Sequence, residues 1–127
     1  MILEAAAFCL AINLYHEGLK EEPIEGLFAI AQAQLNRAGR KPELLCKVTA
    51  APGQFTWTKA PPEVENSKAW RTAVSVAQLS FYMADFTGGA NHYHALYVSP
   101  YWKPHMELRG MWGSHLFYKD PKFKVMK

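Results

Sequence analysis

The sequence predicts an α+β fold, mainly helical, with a small β element late in the chain. Apolar residues recur at helical spacing from Leu3 to Met83, and strand-like alternation replaces that pattern after Gly88-Gly89. Helices first and strands last suit segregated layers rather than alternating βα units.

The first helix is expected over residues 3–17, where Leu3, Ala6, Ala7, Leu10, Leu14 and Glu17 share a face and Gly18 stops it. Lys20 to Pro23 is a polar connector. A second helix follows over residues 25–38, with Leu27, Ile30, Ala31, Gln34 and Leu35 on one face and Gly39 at its end. Pro42 opens a short third helix running to about Lys47. Residues 50–63 hold Pro52, Gly53, Pro61 and Pro62 and read as a long irregular segment of the kind that often carries function. Within it, Gln54-Phe55-Thr56-Trp57 is unusually aromatic for a loop. Asn66 or Ser67 caps a fourth helix ending near Ala84, with Trp70, Val74, Ala77, Phe81 and Met83 as its periodic apolar residues. His92 to Val98 alternates, placing Tyr93, Ala95 and Tyr97 on one side and His92, His94 and Leu96 on the other. Pro100 and Pro104 interrupt this run, and Gly113 to Tyr118 reads as a last short strand.

A chain of 127 residues fits one domain, taken here as 1–127. Half of it is hydrophobic and 20% charged, enough to fill one core and unlike a disordered chain. The net charge of +3 suits an anionic partner, but no Lys/Arg stripe argues for nucleic acid. The four lysines from Lys119 to Lys127 read as a solvated terminus. No stretch is long enough to span a membrane. Ala5 to Leu14 is apolar, but no basic residue precedes it and Glu4 lies at its edge, so it reads as a buried helix rather than a signal peptide. Cys9 and Cys46 each lie in an apolar, helix-like stretch and are expected to be buried free thiols, not a disulfide framework.

Three features could carry chemistry. Glu17 ends the apolar first helix beside Tyr15, where desolvation raises a carboxyl pKa and keeps the proton a general acid needs. A surface glutamate at a helix end is the plainer reading. His92-Tyr93-His94 places two histidines on one strand face, a spacing that can chelate zinc with His16, Glu17, His105 or His115 completing the site. No His-Glu-x-x-His helix supports this, and histidines that hydrogen-bond a sugar or a carboxylate are the preferred reading, with no metal or cofactor expected. Phe55, Trp57, Tyr93, Tyr97, Tyr101 and Trp102 fall outside the helices, where flat rings suit sugar faces and half of them are expected to fill core. Nucleophilic catalysis finds little support: Cys9 lies within a helix, and Ser99 and Ser114 lack a nucleophile elbow.

Four blocks, in order, resemble the SleB-type cell wall hydrolases, the family of spore-cortex-lytic enzymes and related phage lysins. They are Tyr15-His16-Glu17; Glu25-Gly26 with Ala29-Ile30-Ala31-Gln32 and Leu35-Asn36-Arg37; Pro52-Gly53-Gln54-Phe55-Thr56-Trp57; and Thr87 to Ala95 with Val98 to Trp102 and Gly113 to Tyr118. The resemblance implies a lysozyme-like, lytic-transglycosylase-like domain. It also implies a single catalytic glutamate at Glu17 and a reaction that leaves 1,6-anhydro-N-acetylmuramic acid ends on peptidoglycan. Gln54, Phe55, Trp57, Thr87, His92, Tyr93, His94, Tyr101 and His115 are the expected substrate-binding residues. Where the family continues Ala-Arg-Gly-Glu after its glutamate, this chain has Gly18-Leu19-Lys20-Glu21-Glu22, so Glu21 and Glu22 compete with Glu17 for the role. A hydrolase using water on the same fold would need a base such as Asp85 or Glu107. His92 and His94 would instead serve a zinc amidase, and the loop aromatics a non-catalytic glycan-binding module. The chain reads as a monomeric phage endolysin, made in the cytoplasm and reaching the wall by holin-type release.

Overall fold

A computed structural model describes residues 2–17, 22–50 and 67–125. The Gln54–Trp57 block and most of the 18–23 connector lie outside them. The α+β class holds. Helix α1 spans Ile2–Glu17, α2 Ile24–Arg37, α3 Leu45–Ala50 and α4 Lys68–Ser80, with a 3-10 turn at Pro42–Leu44 leading into α3. The strands are β1 His92–Ala95, β2 Glu107–Trp112 and β3 His115–Lys119, and a second 3-10 turn, Lys103–His105, precedes β2.

The second half of helix α1 is enclosed, whereas Glu4, Ala5 and Phe8 of its first half are exposed. Leu10, Ala11, Ile12, Asn13 and Leu14 are consecutive and all buried, as expected of a helix whose apolar residues are not confined to one stripe. Helices α2, α3 and α4 pack around it. At the N-terminus of α4, Ser67 accepts from the Trp70 amide at 3.0 Å, satisfying one of the orphan donors of the first turn. This helix stops at Ser80, short of Ala84, and Phe81 packs against the core just beyond it.

Cys9 of α1 and Cys46 of α3 form a disulfide, which overturns the expectation of free thiols. Both residues are half-buried on the flanks where the two helices meet, and their Cα atoms lie 5.2 Å apart. That approach arises from tertiary packing and leaves no mark on local sequence.

The sheet runs β1-β3-β2 and is antiparallel throughout. Pairing of Tyr93 with Phe117 and of Ala95 with His115 puts these residues on the face toward the helices, with Trp112 opposite His115. Pairing of His92 with Tyr118 and of His94 with Leu116 puts those side chains on the outer face. There Trp102 packs on His92, His94 and Tyr118, and Phe123 packs on His92. Strand β1 ends at Ala95, so Leu96 and Tyr97 turn away rather than continuing the alternation.

Candidate active site

Glu17 is the last residue of α1, and its side chain is 18% exposed. Burial raises its pKa to about 7, a hydrogen bond from Tyr93 works against the rise, and the nearby Glu22 charge adds to it. Tyr93 reaches the site because strand alternation turns it inward between two outward histidines. Its hydroxyl accepts from Gln34 Nε2 of α2 at 3.1 Å, and the same amide donates to Asn13 Oδ1 at 3.3 Å, one helical turn before Glu17. Burial, and secondarily the Glu17 charge, push the Tyr93 hydroxyl well above its usual pKa, so it remains a donor at neutral pH.

His115 stands between two carboxylates. Its Nε2 lies 4.0 Å from Glu17 Oε2, and its Nδ1 lies 2.5 Å from Glu22 Oε2. Burial lowers the imidazole pKa, the Glu22 charge and hydrogen bond oppose that, and the net direction is down.

Glu22 is the member of this group that the helix pattern did not single out. Its side chain is 2% exposed, and its Oε1 accepts from the Ser114 amide at 2.6 Å and the Ser114 hydroxyl at 2.7 Å. Two glycines make the space. A Cβ at Gly26 would sit 2.8 Å from the Glu22 carboxyl carbon. A Cβ at Gly113, whose φ is +60°, would collide with Glu22 Oε1 and stand 3.0 Å from the Gly26 Cα. The Glu25-Gly26 and Gly113-Ser114-His115 blocks are therefore two halves of one seat for Glu22. The signal lay in those paired motifs, which the apolar periodicity could not register.

The other described residues expected at the site lie elsewhere. Asp85 clamps its own loop: Oδ1 accepts from the Thr87 amide (2.8 Å) and hydroxyl (2.6 Å), and Oδ2 from the Gly89 amide (2.8 Å) and Asn36 Nδ2 (3.1 Å). Burial disfavours the Asp85 charge, but these bonds outweigh it and hold the pKa below the usual value. Thr87 is buried within that loop. His94 uses both ring nitrogens, on Ala95 O at 2.8 Å and on the Tyr118 hydroxyl at 2.9 Å. His92 lies 2.8 Å from Asn91 Oδ1 and is lowered to a pKa of about 4, by burial first and then by Arg37. Both histidines face away from Glu17. Tyr101 is 89% exposed in the turn after β1. Glu107 pairs with Arg109 at 2.8 Å and opposes Lys119, at the end of β2 remote from His115. Five residues of strand, roughly 16 Å, separate it from Trp112. Among the described residues, no group of three or more His, Cys, Asp and Glu side chains could hold a metal ion. No described helix is long and apolar enough to cross a membrane.

A carboxyl raised to a pKa of about 7 by burial, enclosed beside a tyrosine hydroxyl and an imidazole, is the kind of group that general-acid chemistry draws on. The chain matches the family described as Cell Wall Hydrolase, the SleB type, over residues 21–118. It belongs to that family and is a cell wall hydrolase whose substrate is peptidoglycan. The matched residues include Glu22, Gly26, Tyr93, Gly113, Ser114 and His115, and Glu17 lies just ahead of them. No curated protein and no solved structure matches the chain significantly.

Proposed function

We propose that this protein is a lytic transglycosylase that cleaves the bond between N-acetylmuramic acid and N-acetylglucosamine, with Glu17 as its acid and then its base. The observation that carries this is the Glu17 carboxyl, raised to a pKa of about 7 by burial. A group at that pKa can both give and take a proton at neutral pH. Glu17 protonates the glycosidic oxygen as the bond to C1 breaks, and positive charge develops at C1. The muramic acid C6 hydroxyl then attacks C1 and passes its proton to the Glu17 carboxylate. A 1,6-anhydro end forms, Glu17 regains its proton, and no water is consumed.

A muramidase or glucosaminidase would need a second carboxylate free to activate water. Among the described residues Asp85 is committed to four donors, Glu107 is remote, and Glu22 is bound by Ser114 and His115. This distribution favours the transglycosylase. We read the helices-first arrangement, with its acid at a helix end, as lysozyme-like. The protein acts on the wall as a monomeric endolysin of phage type after holin-type release, and its disulfide suits an oxidising exterior. Gln54, Phe55 and Trp57 carry sugar contacts in this scheme on the strength of the family resemblance.

Digestion of purified peptidoglycan followed by mass spectrometry of the soluble products tests the proposal. Anhydro ends are expected from the parent and none from Glu17→Gln. Reducing ends from the parent would move the assignment to a hydrolase. Stem peptides released from intact glycan strands would overturn glycosidic cleavage altogether.

A further inference from the structure

We infer that Glu22, His115 and Glu17 form a carboxylate–imidazole–carboxylate relay in which His115, its tautomer set by Glu22, is the positioning residue for the proton on Glu17. The inference rests on the reading of Glu17 as the catalytic acid. It gives a role to a buried carboxylate and an imidazole that the cleavage scheme does not use.

The geometry runs from the glycines outward. A side chain at Gly26 or at Gly113 would run into the Glu22 carboxyl group, so the bare backbone at both positions leaves it room. Ser114 donates its amide and hydroxyl to that carboxylate, and among the described residues the remaining close neighbour of Oε2 is His115 Nδ1 at 2.5 Å. An ionised carboxylate only accepts, so Nδ1 must carry the proton. A neutral ring in that tautomer presents the lone pair of Nε2 to Glu17 Oε2, 4.0 Å away. That separation is outside hydrogen-bond range, and about 1 Å of carboxyl rotation closes it, as catalytic contacts commonly tighten when substrate is bound.

An acceptor facing Glu17 favours the protonated carboxyl. It therefore keeps the acid loaded before cleavage and makes its carboxylate basic enough afterwards to take the C6 hydroxyl proton. Among the described residues, the titratable or charged groups around Glu17 are His16 beside it on α1, Tyr93 of β1, His115 of β3 and Glu22 ahead of α2, with Arg37 of α2 acting on Tyr93. Among the described residues, those around His115 are Glu17, Glu22, His94 and Tyr93, whose ring centroid lies 5.8 Å from that of His115. Tyr93 is the one that favours Glu17 ionised, so Glu22 and His115 oppose it.

Glu22→Gln separates this role from a structural one. The amide keeps the size of the side chain but offers an N–H to Nδ1, which moves the ring proton to Nε2. The ring then donates to the Glu17 carboxylate and stabilises its ionised form. Initial rates on solubilised glycan strands should show the alkaline limb of the kcat profile moving down by at least about half a pH unit. At pH 7.5 kcat should fall by at least about 2.5-fold while KM stays within about threefold. Nitrogen-15 spectra of histidine in the intact parent provide a readout that needs no variant: His115 should be the neutral Nδ1–H tautomer at pH 7. An Nε2–H tautomer in the parent, or an alkaline limb unmoved in a folded Glu22→Gln protein, overturns the relay. Glu17→Gln run alongside distinguishes the two readings. Activity surviving in Glu17→Gln removes Glu17 as the acid, whereas loss there with an Nε2–H His115 in the parent removes the relay alone.

Discussion

Glu17 is enclosed at the end of a helix, and the same burial on which its proposed role rests works against the fold when it ionises. Its folded pKa of about 7 lies above the ordinary value of 4.5, so the native state holds a proton that the unfolded chain releases. Stability from this group is intact below about pH 4.5 and is lost as pH rises to about 7. Glu17→Gln should therefore raise the melting temperature at pH 8 and leave it nearly unchanged at pH 4. The gain at the higher pH should be on the order of 2–3 kcal/mol. Equal shifts at both pH values would show that the carboxyl is not desolvated. Tyr93→Phe tests the opposing contact. It removes a donor to the Glu17 carboxylate and leaves Gln34 Nε2 short of a partner. The alkaline limb of activity should move up, opposite to Glu22→Gln, and stability should fall by about 1–2 kcal/mol. A limb that stays in place would mean Tyr93 does not bond Glu17 in solution.

The β2–β3 hairpin shows why a two-residue turn matters to chemistry on the neighbouring helix. Trp112 pairs with His115, so Gly113 and Ser114 make the whole connection, and Gly113 takes a φ of +60°. A glycine at the first turn position matches the twist of the flanking strands at no steric cost. Its missing side chain also makes room for Glu22. Gly113→Ala combines backbone strain with a collision, and should cost at least about 2 kcal/mol and lower kcat by dislodging the Glu22–His115 pair. A variant with parent stability and activity, measured by thermal melting and product release, would refute the seat. At this scale much was legible in the sequence. The periodicity of Leu10, Leu14, Leu27 and Ile30 located α1 and α2 within a residue or two, and Ser67 marked the start of α4. Strand β2 was missed because it is an edge strand with a bulge between Leu108 and Gly110, which breaks the alternation that reveals a strand. Alternation did show that His92 and His94 share a face. Which face meets the helices depends on β1 pairing with β3, a long-range contact that local pattern does not encode.

Across the whole molecule, the site is assembled from α1, the entry to α2, β1 and β3, and only its first member was conspicuous in a helix pattern. The sequence offered Glu22 only as a rival to Glu17, and its contact with Ser114, 92 residues away, and with His115 is visible only in the fold. The disulfide was hidden for the same reason, since Cys9 and Cys46 look like ordinary apolar positions until α1 and α3 pack together. That bond closes a sequence separation of 37 residues and ties the helix bearing Glu17 to its neighbour. By chain entropy, such a loop stabilises the fold by about 3–4 kcal/mol. Cys9 lies eight residues before Glu17 on α1, about 12 Å along the axis, so the clamp holds the helix without touching the site. Reductant, or Cys9→Ala with Cys46→Ala, should thus lower the melting temperature by roughly 10 °C while leaving kcat at 20 °C within about twofold of the parent. The alanine pair also removes any effect of free thiols. If the melting temperature is insensitive to both treatments, the two cysteines are not joined. If kcat collapses at a temperature where the reduced protein is still folded, the clamp sets the position of Glu17, and the separation between scaffold and site argued from the helix geometry is wrong.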